Sequence, residues 1–113
     1  MSLLGEAPTL DPIMQNRVDE LMEALAMAGA TPPPAERVAA RLGIPIPMLD
    51  QLRALGELVA AAPRIDYPRA SWADIDAKLG RLAVEGALSV RRVRDELGTT
   101  RRHAEAILRR HLG

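Results

Sequence analysis

The sequence contains no cysteine and no phenylalanine, and it has one tryptophan and one tyrosine in 113 residues. Without cysteine, the chain can form neither disulfides nor metal sites built on thiolates. With only two histidines, His103 and His111, as nitrogen ligands, we expect no metal and no other cofactor. Aromatic and β-branched residues are typical of strands, whereas the apolar 48% of this chain is mostly leucine, valine and alanine. We therefore expect a mostly helical protein.

The sequence also lacks a long apolar run. No apolar stretch approaches the roughly 20 residues that a membrane helix needs, and no secretory signal is visible. We expect a cytoplasmic protein with no membrane partner, and, without cysteine or a heptad repeat, a monomer. The carboxylates are scattered and the two histidines lie eight residues apart, so we expect no catalytic residues and no enzymatic activity.

The net charge is zero, but the charges are unevenly distributed. Residues 1–62 carry 4 basic and 8 acidic side chains, whereas residues 63–113 carry 11 basic and 7 acidic ones. A basic half on a neutral chain indicates a surface that faces a polyanion. The alternative is that the arginines only keep the protein in solution, and charge alone does not decide between the two.

Glycine and proline divide the sequence into segments with the apolar spacing of helices. Asp11 is followed by proline, a combination typical of a helix start, and Ser71 has an acidic residue three positions later, as in a capping box. Short apolar stretches at residues 58–61 and 65–67 predict a β-hairpin. The sequence predicts helices over residues 11–29, 35–42, 47–55, 71–86, 89–97 and from Thr99 or Thr100 to 112.

An internal repeat relates the first three helices to the last three. Apolar and glycine positions of the first helix recur 57 residues later, and those of the next two helices recur 55 residues later. Each copy has the helix, glycine turn and helix of a helix-turn-helix, so we predict a mostly α fold of tandem winged-helix units. The first unit, residues 8–68, has the hairpin as its wing, and the second, residues 69–113, is incomplete and ends before a wing. We expect Tyr67 and Trp72 to fill the junction. The matched pairs are Val18 and Ile75, Met22 and Leu79, Leu25 and Leu82, Gly29 and Gly86, Val38 and Val93, Leu42 and Leu97, Gly43 and Gly98, and Leu52 and Ile107.

The last helix carries a basic face. Ala104, Ile107 and Leu108 share an inward face at helical spacing, which turns Arg102 and Arg109 outward. Helix N-termini also favour phosphate groups. A single arginine is more simply explained as a solvated side chain in an ion pair, but a cluster indicates binding. The candidate binding residues of this face and of the preceding helix are Arg91, Arg92, Arg101, Arg102 and Arg109.

The first unit differs in its charges. Its third helix has one basic side chain, Arg53, and we predict that this unit is a structural copy without a binding role. Arg94 stands near the apolar seam, where the first unit has Ala39. We expect Arg94 to pair with a carboxylate or to extend its charged end to water rather than to contact a ligand.

The segment Val93-Arg94-Asp95-Glu96-Leu97-Gly98-Thr99-Thr100-Arg101-Arg102 resembles the last C-terminal winged helix of the bacterial selenocysteine-specific elongation factor, SelB. That family has an apolar residue, Arg-Asp, an apolar pair, Gly-Thr-Ser-Arg-Lys and an aromatic residue here. In this chain Thr100 replaces the serine, Arg102 the lysine and His103 the aromatic residue. The segments Leu55-Gly56-Glu57-Leu58-Val59 and Ile65-Asp66-Tyr67 also resemble the family, and the resemblance covers the chain from about Leu10 onward.

The resemblance implies a function in translation. In that family the last winged helix binds an mRNA hairpin, the selenocysteine insertion element, and a separate N-terminal part binds GTP and the charged tRNA. This chain has no phosphate-binding loop of the GTPase type, so the resemblance implies that it is a fragment of the factor. The part of the factor that contacts the ribosome and selenocysteyl-tRNA would then be absent from this chain. By position, it implies that Arg101, Arg102 and His103 contact the RNA. The family continues past Gly113 into a wing, and it usually has an acidic residue where this chain has Leu112.

Two other functions fit the same pattern. A DNA-binding winged-helix transcription regulator would place the same helix in a major groove, and it would usually be a dimer. A protein-interaction or spacer module would suit the acidic first unit. Preference for a looped RNA over duplex DNA would discriminate among the three, because RNA is read through its shape and its unpaired bases.

Overall fold

The computed structural model describes residues 11–113, so residues 8–10 of the predicted first unit lie outside it. The described chain is mostly helical and has one two-stranded antiparallel sheet, which confirms the predicted fold class at this level. The elements are α1 (Pro12–Met27), α2 (Ala35–Leu42), α3 (Ile46–Ala54), β1 (Leu58–Ala62), β2 (Ile65–Pro68), α4 (Arg69–Glu85), α5 (Val90–Leu97) and α6 (Arg101–Leu112).

Three helices begin directly after a polar residue that the sequence marks as a cap. In each case the side-chain oxygen accepts a hydrogen bond from the backbone N–H three residues later. The distances are 2.8 Å for Asp11, 3.1 Å for Ser89 and 3.2 Å for Thr100. These bonds satisfy N–H groups that have no partner within the helix, which confirms the predicted starts of α1, α5 and α6.

The start of α4 differs from the prediction. The helix begins at Arg69, two residues before the predicted start at Ser71, and its N-cap residue Pro68 makes no side-chain hydrogen bond. The N–H of Arg69 instead donates to the carbonyl oxygen of Glu57 at 3.0 Å. This bond satisfies one N–H of the first turn, and Ser71 lies within that turn and not at the cap position.

The helices α2 and α5 end in the same way. Each has eight residues and is followed by a glycine in the left-handed conformation, Gly43 with φ 76° and Gly98 with φ 63°. A side chain would be strained at these positions, so glycine allows the chain to turn directly into the next helix. The order helix, helix, glycine turn, helix is therefore present in both halves of the chain. Their assignment as tandem winged helices stays a prediction.

The buried apolar residues form two clusters that meet at the hairpin. The predicted boundary between the two units, at residues 68 and 69, divides the second of these clusters, because Ile65 and Tyr67 of β2 belong to that cluster. The first cluster consists of Val18, Leu21, Leu25, Ala35, Val38, Ala39, Ile44, Leu49, Leu52 and Leu58. The second consists of Ile65, Tyr67, Ile75, Leu79, Val93, Ala104, Ala106 and Ile107.

The hairpin lies between the two groups of helices. All four residues of β2 are buried. Because side chains alternate along a strand, Ile65 and Tyr67 face the second cluster while Asp66 faces α3, where it binds Arg53. The predicted hairpin is therefore present, and both faces of β2 are covered by helices or their side chains. Its assignment as the wing of a winged helix stays a prediction.

A junction tied by hydrogen bonds joins the connector between α1 and α2 to the second half of the chain. The carbonyl oxygen of Ala30 accepts hydrogen bonds from the Tyr67 hydroxyl at 2.8 Å and from the Thr99 hydroxyl at 3.1 Å. Burial raises the pKa of Tyr67, so the hydroxyl stays protonated and donates. The rings of Tyr67 and Trp72 lie 5.9 Å apart, which confirms the predicted place of both aromatic residues at the junction.

Candidate nucleic-acid interface

Three exposed arginines occupy the outward face of α6. Arg101 and Arg102 begin the helix, and Arg109 follows Arg102 by seven residues, close to two full turns. Ala104 and Ile107 are buried on the opposite face, as their spacing predicts. The packing of this helix therefore directs the three cations away from the core.

The guanidinium groups at the start of α6 are only loosely held. Arg101 Nε lies 3.6 Å from Glu105 Oε1, and the Arg101 side chain remains 77% exposed. Arg102 Nη2 donates a long hydrogen bond of 3.4 Å to the carbonyl oxygen of Pro63 in the hairpin turn. Exposed pairs of this kind contribute about 0–1 kcal/mol, so both side chains are available to an anionic ligand.

The structure buries His103, one of the residues that the resemblance implies for RNA contact. Its side chain is buried, and its Nε2 lies 3.3 Å from the carbonyl oxygen of Pro32 in the connector. A carbonyl can only accept, so Nε2 carries the proton and donates. Nδ1 lies 2.6 Å from the Thr100 hydroxyl, which is also the N-cap oxygen of α6. His103 therefore fixes the start of α6 against the connector and exposes only a small part of its side chain.

Arg92 also has a structural contact where the sequence predicts binding. Its Nη1 donates to the carbonyl oxygens of Gly86 at 2.9 Å and Ala87 at 3.2 Å, and its Nη2 lies 3.4 Å from Glu85. These partners belong to the end of α4, whose last carbonyls have no partner inside the helix. The guanidinium of Arg92 caps α4 and is only partly exposed.

The remaining arginines of α5 lie apart from the face on α6. Arg91 is exposed near the start of α5. The glycine turn follows the other end of this helix, about 10 Å from Arg91 along the helix axis. Arg94 donates to Asp95 through both Nε and Nη2 at 3.1 Å, which confirms that it pairs with a carboxylate.

Arg110 is an exposed cation that the sequence analysis did not single out. It lines a groove together with Arg109 and with Ala60 and Ala61 of β1. Within residues 11–113, the ion pairs of α6 involve Arg101 and His111 and neither Arg109 nor Arg110. His111 Nδ1 lies 2.6 Å from Asp76 Oδ1 and ties α6 to α4, as expected of a packing residue. The two consecutive arginines at the end of a predicted amphipathic helix were the available signal for this groove.

In the first half of the chain, α3 corresponds to α6, and its arginine, Arg53, is bound by carboxylates. Arg53 donates to both carboxylate oxygens of Asp66 at 2.9 Å and to Glu36 at 2.8 Å, and Asp50 lies 3.2 Å away. Hydrogen bonding to Asp66 raises the pKa of Arg53 further above its ordinary value, against the opposing effect of burial. Asp66 itself is 1% exposed, so this arginine neutralises a buried carboxylate.

Two further observations concern other kinds of site. Residues 11–113 bring together no group of three or more histidine, aspartate or glutamate side chains suited to a metal ion. In the same part of the chain, no helix has the length and apolar character required to cross a membrane.

No protein-family model matches the sequence of this chain, and neither does any curated protein. The resemblance to the elongation factor therefore stays a prediction that rests on the residues quoted above. The geometry of α6 supplies the physical argument for a function.

Proposed function

We propose that this chain binds RNA through α6, as the mRNA-hairpin-binding part of a selenocysteine-specific elongation factor. The observation that carries the proposal is the outward face of α6. Arg101, Arg102 and Arg109 are exposed there, with Glu105 as the carboxylate between them. Phosphate groups are the ligands that such a row of guanidinium groups binds most readily.

The backbone that carries these cations is held by hydrogen bonds, which also supports a role in binding. The backbone at the start of α6 is held by the Thr100 cap and by the bond from His103 to Pro32. Thr99, in the turn before α6, donates to Ala30. The helix therefore presents its arginines from a backbone that is held in place, which lowers the entropic cost of binding.

An RNA hairpin suits this surface better than a regular duplex. The major groove of A-form RNA is too narrow for a helix, so proteins contact its backbone and its unpaired loop bases. Guanidinium planes stack on splayed bases and also bind phosphates, and Arg101 and Arg102 lie at the exposed end of α6 where both are possible. The resemblance around Gly98 and Thr99 supports the more specific assignment to selenocysteine insertion.

Titration of labelled nucleic acids tests the proposal. The probes are a bacterial selenocysteine insertion hairpin, the same stem with a changed loop, and duplex DNA of equal length, each at two salt concentrations. We expect the first hairpin to bind most tightly. The double variant R101Q/R102Q should weaken binding and reduce the slope of log K against log salt by about 1.4–1.8, as expected for two lost phosphate contacts.

The matched control is R37Q/R41Q, which removes two exposed arginines from α2. Arg53 is unsuitable as a control because it neutralises Asp66. Equal losses from the two double variants would overturn the assignment to α6. Tighter binding to duplex DNA would favour the transcription regulator, and equal binding to both loops would remove the selenocysteine assignment.

A further inference from the structure

A groove runs between the end of α6 and the hairpin. It has a volume of about 490 Å³ and is lined by Ala60 and Ala61 of β1 and by Arg109, Arg110 and Gly113. The two alanines keep its floor shallow and open, while the arginines form one wall. The groove is therefore shared between the last helix and the hairpin, and neither element forms it alone.

The charged side chains that line this groove are both positive. Arg109 and Arg110 are both exposed, and no carboxylate side chain is among its lining residues. The other side of the hairpin forms a groove of about 450 Å³ that contains Glu36 and Asp66 beside its arginines. Two guanidinium groups without a side-chain counter-ion favour an anion in the first groove, whereas the second groove supplies its own carboxylates.

The groove lies about two helical turns from the start of α6. Arg102 and Arg109 are seven residues apart, which corresponds to about 10 Å along the helix axis. A ligand that contacts both must carry more than one anionic group along its length. A nucleic-acid strand has this property, since it carries one phosphate per nucleotide.

We propose that the groove formed by Arg109, Arg110 and the alanines of β1 holds a second stretch of phosphate backbone, in the stem of the RNA whose loop binds at the start of α6. This inference rests on the proposed function. It adds Arg110 and β1 to the interface, and it makes affinity depend on the length of the stem.

Helix stability offers another reason for cations at this position. Arginine in the last turn of a helix interacts favourably with the helix dipole, and that role needs no ligand. The two roles differ in what they predict. If the arginines only stabilise the helix, replacing them changes thermal unfolding and has no selective effect on RNA binding. If they contact phosphate, replacing them weakens binding to the longer of two hairpins selectively.

The test compares two labelled RNA hairpins that share one six-nucleotide loop, on stems of four and ten base pairs. Wild-type protein should bind the longer stem more tightly. R109Q/R110Q should lower the affinity for both hairpins, because Arg109 belongs to the outward face of α6, and the loss should be about tenfold greater on the longer stem. R109K/R110K keeps both charges, so it should restore most of the difference in affinity between the two stems. R37Q/R41Q serves as the control. Thermal unfolding of each variant shows that binding is measured on folded protein.

The outcomes separate this inference from the proposed function. If R101Q/R102Q weakens binding while R109Q/R110Q matches the control on both hairpins, the groove is not a binding site and the proposed function stands. Equal losses on the two stems from R109Q/R110Q would also overturn the stem contact. If neither double variant differs from the control, the proposed function fails, and the groove with it.

Discussion

The segments α2–α3 and α5–α6 share one local architecture and use their arginines in opposite ways. Each has an eight-residue helix, a left-handed glycine and a following helix. In α3, Arg53 contacts three carboxylates. In α6, Arg109 and Arg110 have no ion pair within residues 11–113. The same backbone arrangement therefore supports either a structural cation or an available one.

The hairpin explains the difference. Side chains alternate along β2, so the strand directs the carboxylate of Asp66 toward α3 and the apolar Ile65 and Tyr67 toward the second cluster. Arg53 receives a buried counter-ion from this strand, whereas the arginines of α6 receive none. The part of the hairpin that lies beside Arg109 and Arg110 is Ala60 and Ala61 of β1, which offer no carboxylate.

The comparison predicts that replacing Arg53 costs far more stability than replacing Arg109. In Arg53→Ala, Asp66 remains buried without a counter-ion, and breaking a buried pair in this way typically costs about 3–5 kcal/mol. Arg109→Ala should change the free energy of unfolding by no more than about 0.5 kcal/mol, as for other exposed positions. Urea denaturation of the two variants measures both values.

A second variant identifies the cause of the loss. Adding Asp66→Asn to Arg53→Ala removes the uncompensated charge, so the double variant should be more stable than Arg53→Ala alone. If Arg53→Ala lies within about 1 kcal/mol of wild type, the ionic network does not stabilise the fold, and the contrast between α3 and α6 loses its energetic basis.

The core of the second half provides the next comparison. Ile107 is fully buried, so Ile107→Ala should destabilise the protein by about 2–5 kcal/mol. The sequence predicts the same cost for Leu97, but this residue is only partly buried at the end of α5. Leu97→Ala should therefore cost less than Ile107→Ala in the same urea titration. Equal losses would indicate that Leu97 packs more tightly than its exposure suggests.

The local parts of the fold could be predicted from the sequence. The polar caps Asp11, Ser89 and Thr100 and the glycines Gly43 and Gly98 act through bonds and dihedral angles within a few residues. Such signals are readable in a single sequence because they do not depend on the rest of the chain.

The contacts that decide the candidate site join different secondary-structure elements, and sequence patterns did not show them. His103 binds a carbonyl 71 residues earlier in the chain, at Pro32. Its spacing to Ala106 and Ile107 is a signal of the buried face of α6. Arg92 caps α4 through Gly86, a contact that depends on how two helices cross. Exposure of Arg101 and Arg102 was predictable, because the apolar face of α6 fixes the opposite one.

The smallest expected effect concerns the acid sensitivity of the Arg53 network. Burial alone would raise the pKa of Glu36, but hydrogen bonds from its own backbone and from Arg53 outweigh burial and lower the pKa below its ordinary value of 4.5. A carboxylate whose pKa is lowered on folding stabilises the protein above its ordinary pKa, and this contribution disappears as the pH falls through the folded-state pKa.

Glu36→Gln removes the titration but keeps an oxygen that accepts from Arg53. Wild-type protein should therefore lose more stability than Glu36→Gln between about pH 5 and pH 3, and the difference should be modest because the side chain is 40% exposed. Glu23→Gln, at an exposed position of α1, is the matched control and should follow the wild-type profile. Urea midpoints measured across this range decide the point. Parallel profiles for wild type and Glu36→Gln would show that Glu36 does not stabilise the network, and the contacts that hold Arg53 would reduce to Asp66 and Asp50.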